Sequence, residues 1–255
     1  MYIIIKRFFD IVFSMLGILF TWPFMLLAII GILLSGESKP VFVQLRVGKN
    51  RQLFRFYKLR TMKRTISANT GPITLHGDDR ITKLGLFLRW SKIDEFPQFF
   101  NVLNGELSFV GPRALMPETF YKYDKATQKK ISKVTPGITG VGSVVFRNEA
   151  VLLKNAGNKQ EEFYLNTILP YKGELEVWYA KNSSFWVDFK LLFFSVLVIL
   201  YSRLTGLHRY FKQMPVNNAI ITQLKPPVIF DGRNQFNTFR LEEKGFEYYQ
   251  IGKSK

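Results

Sequence analysis

The residues with the densest capacity for chemistry lie between Arg89 and Arg113, in the run RWSKIDEFPQFFNVLNGELSFVGPR. Here an adjacent carboxylate pair, Asp94–Glu95, precedes Pro97, the amides Gln98 and Asn101, and a terminal Gly-Pro-Arg. Proline is tolerated only in the first turn of a helix, so Asp94 belongs at or near the N-terminus of the helix that follows. The dipole there favours anions, whether carboxylate or phosphate. Aspartate as a cap with glutamate in the first turn also suits an ordinary helix start, so the pair alone leaves both readings open.

The elements upstream supply cations. VFVQLRVG and QLFRFYKLRTM read as two strands of a hairpin turning at Gly-Lys-Asn around Gly48. Side chains alternate along a strand, which puts Phe54, Phe56, Lys58 and Arg60 on one face. Two cations there could meet phosphates, or Lys58 could blunt a solvated edge. Thr65 to Thr74 (TISANTGPIT) reads as a polar loop, either a lid beside a phosphate site or a connection. Asp79 is the expected N-cap of a short helix that turns Leu84, Leu86, Phe87 and Leu88 inward. Arg89 and Lys92 follow just before Asp94.

Bulk charge narrows the partners. With 36 Lys and Arg against 19 Asp and Glu, the net charge is +17. That excess implies nucleic acid, an acidic membrane surface or phosphorylated substrates. The absence of cysteine excludes disulfides and thiolate chemistry, and two distant histidines, His76 and His208, argue against a His-based zinc site. Ile11 to Leu34 carries no charge, and about 20 apolar residues suffice to span a bilayer. The run is too long for a signal peptide and lacks a small-x-small cleavage site. Pro23 interrupts it, and basic residues flank both ends: Lys6 and Arg7 before, Lys39, Arg46, Lys49 and Arg51 after. Positive charge on both sides gives a spanning helix no clear orientation. A helix–break–helix hairpin, broken at Pro23 and re-entering the cytoplasmic face, satisfies both flanks. A single spanning helix is the alternative.

KRFFDIVFS, QLRVGKN, FYKLRTM, DDRITKLGLFLR, SKIDEFPQFFNVLNGELSFVGPR and TPGITG (Thr135 to Gly140) together resemble the bacterial polyprenyl-phosphate sugar-1-phosphate transferases, the monotopic phosphoglycosyl transferases. The resemblance covers about the first 200 residues. It implies transfer of a sugar-1-phosphate from a UDP-sugar to undecaprenyl phosphate with release of UMP, as the first membrane step of glycan assembly. It further implies a re-entrant helix broken at Pro23, Asp94 as the nucleophile forming a phosphosugar–aspartyl intermediate, and Glu95 as a ligand to Mg2+. Lys58, Arg60, Arg89 and Arg113 match basic positions assigned to phosphate neutralisation. Gln98 and Asn101 match amide positions that either touch substrate or bond the backbone within the fold.

Two departures bear on substrate contacts. The family's PGITG turn is commonly followed by tryptophan and glutamine, then Asn-Gly-Arg, whereas this chain reads Val141-Gly-Ser-Val-Val-Phe-Arg147. Arg147 is retained as a substrate-binding expectation. Glu176 stands where the family more often shows aspartate. Ser184 to Tyr201 is aromatic and apolar but carries Asp188 and Lys190, so an interfacial amphipathic helix is expected, with a buried core helix as the alternative. Pro226 to Lys253 is similar to the closing strand–helix–strand of nucleotide-sugar dehydrogenases, without a Gly-x-Gly-x-x-Gly cofactor motif.

The expected fold is α+β and membrane-associated. A re-entrant membrane helix occupies 1–38, and a catalytic domain built of a small β-hairpin and surface helices occupies 39–204 on the cytoplasmic face of the bacterial inner membrane. An appended tail occupies 205–255. The expected partners are a UDP-sugar, undecaprenyl phosphate, membrane lipids and downstream glycosyltransferases, with no nucleic acid. A non-catalytic scaffold of a glycan-assembly complex and a membrane-tethered nucleic-acid binder are the competing classes. No nucleic-acid motif supports the latter.

Overall fold

The computed structural model describes residues 1–63, 80–146, 149, 153, 160–200, 210–217, 220, 228–231 and 247–250. Helix α1 runs from Tyr2 to Leu34. Among the described residues it is the one helix long and apolar enough to cross a membrane. The expected break into two helices is not seen, since α1 is assigned continuously with Pro23 inside it. Proline deletes one N–H, the donor that would reach the carbonyl of Leu19, and the neighbouring turns keep theirs. Two residues earlier, Thr21 Oγ1 donates to the carbonyl of Gly17 at 2.6 Å, a back-bond that bends helices without ending them.

Both ends of α1 rest on the same body of protein. Near its start, Lys6 donates to the carbonyl of Val110 at 2.8 Å and pairs with Asp188. The Arg7 guanidinium donates to the carbonyls of Val102 and Leu103, both at 2.6 Å. Near its end, Ala28 and Ile32 pack with Leu59 and Leu88, and Leu84 lies against Gly31. The outward surface stays apolar, with Ile4, Phe20 and Leu27 all more than half exposed.

The hairpin forms as the sequence indicates. Strands β1 (Val41–Val47) and β2 (Leu53–Leu59) pair antiparallel, joined by a 3-10 turn at Lys49–Arg51 in which Asn50 and Arg51 have positive φ. Helix α2 (Lys83–Ser91) is capped by Thr82, whose hydroxyl accepts from Gly85 N–H at 2.9 Å. Asp79, the expected cap, lies outside the described residues, as do Asp78, the loop at 65–74 and Arg147. Only half of the expected inward face of α2 is inward. Leu88 is buried and Leu84 meets α1, while Leu86 and Phe87 are exposed beside Trp90. Residues four apart share a helix face, so Leu84 and Leu88 take the core side and their neighbours turn away from it.

A 3-10 turn at Ile93–Glu95 then leads through Pro97 into α3 (Gln98–Asn104). Strand β3 (Ser108–Val110) pairs in parallel with β4 (Gly137–Thr139). The Gly-Pro-Arg and Thr-Pro-Gly motifs meet here backbone to backbone: Gly111 N–H donates to the Thr139 carbonyl at 2.9 Å, and Gly137 N–H to the Pro112 carbonyl at 2.8 Å. A Cβ on Gly137 would run into the Gly111 amide, so this approach requires glycine.

Short helices α4 (Pro117–Phe120), α5 (Lys125–Ile131) and α6 (Val141–Val145) follow. Gln160–Phe163 and a π-turn at Tyr164–Ile168 lead into α7 (Leu169–Asn182), then α8 (Phe185–Leu200). The main core joins β3, α6, α7 and α8 through Val110, Val141, Leu175, Tyr179 and Leu191. Helix α8 buries Leu191 and Phe194 but exposes Trp186, Phe189, Phe193 and Val196, so it carries a core face and an apolar outer face. Asp188 ties α8 to the start of α1, accepting from Tyr2 and Tyr179 hydroxyls at 2.6 Å each as well as from Lys6. In the tail, β5 (Val228–Asp231) pairs in parallel with β6 (Glu247–Gln250).

Candidate active site

Asp94 and Glu95 sit on the 3-10 turn between α2 and α3, one step ahead of the helix that Pro97 starts. Lys92, which caps this turn, has φ 62°, ψ 12°. A non-glycine residue in the left-handed region is uncommon and marks a backbone held in place by its surroundings. The turn buries Asp94 and leaves Glu95 partly open. Asp94 Oδ1 is enclosed and has no hydrogen-bond partner. Glu95 Oε1 accepts from Lys58 Nζ at 2.9 Å.

The two neighbours titrate in opposite directions. Burial pushes the Asp94 carboxyl up, and the adjacent Glu95 charge adds to the rise against the opposing pull of Lys58, Lys92 and Arg89. Burial also acts to raise Glu95, but the charges of Lys58 and Lys92, the Lys58 hydrogen bond and the Arg113 charge together hold it below the usual carboxylate range. The result is one desolvated carboxylate with a free oxygen beside one firmly ionised carboxylate, both within a ring of cations.

The expected cations divide into two groups. Lys58 bonds Glu95, Arg89 acts on Asp94 while its Nε donates to Thr61 Oγ1 at 2.8 Å, and the Arg113 charge reaches Glu95. Arg60 is turned to other work, donating to the carbonyl of Lys39 at 2.7 Å and lying over the Phe42 ring. Among the described contacts it meets neither carboxylate. The amides also separate. Gln98 is buried with Nε2 unpartnered, one turn after Asp94. Asn101 leaves the substrate-facing set: Nδ2 donates to the Arg55 carbonyl at 2.7 Å and to Glu106 at 2.6 Å, while Oδ1 accepts from Tyr57 N–H at 3.2 Å. Its side chain is fully enclosed and ties β2 to α3.

Three residues join the site that sequence reasoning did not place there. Lys92 acts on both carboxylates. Arg46 donates to the carbonyl of Ala114 at 3.1 Å and to Gln44 at 2.7 Å, lies over the Phe56 ring, and keeps a buried, unpartnered Nε. Burial and the nearby Arg113 charge lower its pKa to about 10. Glu176 Oε1 accepts from Arg113 N–H at 3.3 Å. Arg46 lies within the QLRVGKN motif and Lys92 directly before the carboxylate pair, so both were visible as residues. Their convergence was not.

An open apolar cleft of about 500 Å3 adjoins the carboxylate turn. Trp22, Met25 and Leu26 of α1 form one side, and Tyr57, Pro97 and Phe100 form another. The cleft therefore runs from the level of Pro23 to the proline three residues after Asp94.

The site also fits a magnesium ion as an open site. Among the described residues there is no cluster of three or more Asp, Glu, His or Cys, so no cage is built by protein alone. Mg2+ is ordinarily held by one or two carboxylates together with substrate phosphates and water. The ionised Glu95 is one such carboxylate, and the unpartnered oxygen of Asp94 stays free beside it.

The bacterial sugar transferase model matches residues 1–202, with the carboxylate turn, the Gly-Pro-Arg strand end and α8 inside the match. The chain belongs to the bacterial sugar transferase family. It is 35% identical over 199 residues to the uncharacterized sugar transferase EpsL of Bacillus subtilis, covering 78% of this chain and 89% of that one. It is 32% identical over 215 residues to the galactosyl transferase CpsE of Streptococcus agalactiae, covering 78% of this chain and 43% of the relative. It is also 32% identical over 201 residues to the UDP-N-acetylgalactosamine-undecaprenyl-phosphate N-acetylgalactosaminephosphotransferase of Aeromonas hydrophila, covering 78% of this chain and 44% of the relative. This chain thus spans under half the length of two of these sugar transferases and most of the third.

Proposed function

We propose that this chain transfers a sugar-1-phosphate from a UDP-sugar to undecaprenyl phosphate. The observation that carries the reading is Asp94, a buried carboxylate with an unpartnered oxygen, ringed by Lys58, Lys92 and Arg89 next to an ionised Glu95. A free carboxylate oxygen is what a nucleophile needs, and the cations answer the repulsion between that carboxylate and a diphosphate. The names of the family relatives, which include undecaprenyl-phosphate phosphotransferases for glucose and for N-acetylgalactosamine, support the same substrate class.

In this reading Asp94 Oδ1 attacks the sugar-linked phosphorus, the bond to the bridging oxygen breaks, and UMP leaves. Undecaprenyl phosphate then attacks the same phosphorus, breaking its bond to Asp94 and leaving the sugar on a lipid diphosphate. Lys58, Arg89 and Lys92 hold charge close to the reacting phosphate, and Arg113 offers a guanidinium group suited to a phosphate's paired oxygens, its turn braced by Arg46. Glu95 would hold Mg2+, which would supply charge neutralisation on the diphosphate when bound. The apolar cleft from Trp22 to Pro97 gives the polyisoprenoid chain a place beside the acceptor phosphate.

The membrane reading follows from α1. Its two ends pack on one domain, and Lys6 and Arg7, the basic residues before the apolar run, bond that domain directly. A helix crossing to the far side would leave one end without these partners. We therefore read α1 as re-entrant, bent in the region of Pro23, with the domain on the cytoplasmic face.

The purified chain, incubated with undecaprenyl phosphate, Mg2+ and a panel of UDP-sugars, is expected to release UMP. Release of UDP instead would show ordinary glycosyl transfer, and no nucleotide release across the panel would refute the reading.

A further inference from the structure

We propose that Glu176 and Gly142 form a matched pair that positions the Gly111–Pro112–Arg113 turn, and through it the Arg113 guanidinium, for the donor's phosphates. The proposal rests on the phosphosugar-transfer reading for its substrate but on packing for its substance. Glu176 of α7 is buried, and its Oε1 accepts the N–H of Arg113 at 3.3 Å. Its Oε2 is enclosed without a partner. Lys172, one helical turn earlier, does not take that oxygen. It donates to Glu149 at 2.6 Å and lies between the rings of Phe146 and Tyr164. The Glu176 carboxylate is thereby left to the backbone of the Arg113 turn.

Gly142 of α6 makes this placement possible. A Cβ there would stand 2.5 Å from Glu176 Oε1 and 3.4 Å from its Cδ, with no other atom within 4 Å. The atom in conflict is the end of a flexible side chain, so a methyl group at 142 would push the carboxylate off Arg113 rather than unfold the helix. The other anchors of the turn are the β4 backbone, which holds Gly111 and Pro112, and the Arg46 side chain, which holds the Ala114 carbonyl. Among these contacts, Glu176 is the side chain that reaches the Arg113 N–H itself. An aspartate at 176 would withdraw the carboxylate by about one carbon–carbon bond, ~1.5 Å. The length of the Glu176 side chain is thus matched to the space that Gly142 leaves for it.

A four-member cycle tests this: wild type, Gly142→Ala, Glu176→Asp and the double variant, each purified in detergent. Wild-type release of UMP from a UDP-sugar is checked first, since its failure removes the activity reading and leaves the thermal half of the cycle intact. Alanine is the better helix former, so any loss of stability in Gly142→Ala arises from the contact and not from the helix. With Glu176 present, Gly142→Ala is expected to lower Tm by several degrees and raise the donor KM about tenfold, the effect of one displaced hydrogen bond to a charged group. In the Glu176→Asp background the same methyl group should change KM less than about twofold and leave Tm unchanged or raised. If Gly142→Ala does not fold, a folded double variant counts as rescue. Equal costs of Gly142→Ala in both backgrounds, or failure of both alanine variants to fold, would overturn the pairing. Coupling in Tm without coupling in KM would overturn its role in placing Arg113.

Discussion

Replacing Glu176 with glutamine should change how stability depends on pH. The carboxyl is buried in α7, and that burial raises its pKa from 4.5 to about 7, against the opposing effects of the Arg113 N–H and the charges of Lys172 and Arg113. A carboxyl that binds its proton more tightly when folded stabilises the protein fully below the unfolded value of 4.5. That contribution is lost as pH climbs through the folded value near 7, above which a charge is held in a site that disfavours it. Linkage over this interval gives about 2.5 kcal/mol between pH 5 and pH 8. For a chain of this size that corresponds to a Tm difference of about 5–10 °C. Glutamine keeps an acceptor for Arg113 and does not titrate, so subtracting its melting curve from that of wild type removes every other ionisation. Differential scanning fluorimetry in one detergent, stepped from pH 5 to pH 8, makes the measurement. The glutamine variant should gain on wild type as pH rises. Parallel curves would mean that Glu176 does not carry a buried titrating carboxyl, and a wild type that gains at high pH would reverse the sign of the reasoning.

Other consequences are simpler. Asn101→Ala strips the partners from the Arg55 carbonyl, Tyr57 N–H and Glu106, and should cost about 3 kcal/mol by thermal unfolding, with the donor KM of the folded fraction unchanged. A large KM change at full stability would return Asn101 to the substrate site. Lys58→Met removes the cation that most lowers Glu95, so the acid limb of the pH–rate profile should move to higher pH, and an unmoved limb would contradict the pairing. Asp188→Ala leaves Lys6 partly buried without its ion pair, removes the acceptor of the Tyr2 hydroxyl and leaves Tyr179 with the Val110 carbonyl, a loss of about 3 kcal/mol. It should show as earlier melting and as protease cleavage near the start of α1. Wild-type resistance in the variant would remove Asp188 as the tie between α1 and α8.

Local signals proved readable where one residue type admits one local geometry. Gly48 and the alternating runs around it gave the β1–β2 hairpin, and Pro97 placed Asp94 just ahead of α3. Spacing suggests Asp79 as the N-cap of α2, and Thr82 takes it, because several polar residues near a helix start can each satisfy its free N–H groups. Pro23 suggests a break, yet α1 continues, since the proline deletes one backbone donor while the neighbouring turns keep theirs and both ends of the helix pack on the domain. The site was legible in its carboxylates and less so in its surroundings. Asn101 carries a motif-like amide, but whether an amide faces substrate or backbone depends on tertiary partners that spacing does not encode. Arg46 and Glu176 come from β1 and α7, far from Asp94 in sequence, and meet the Arg113 turn where β3 and β4 pair.

The central claim is that Asp94 carries the phosphosugar. It is tested most directly by incubating the chain with Mg2+ and a UDP-sugar labelled in the sugar, without lipid acceptor, and isolating the protein after acid quench. The label is expected on the wild-type chain at Asp94, is released on adding undecaprenyl phosphate, and is absent from Asp94→Asn, which keeps the size of the side chain and loses the nucleophilic oxygen. Labelled protein from Asp94→Asn, or label that maps to another residue, would contradict the account.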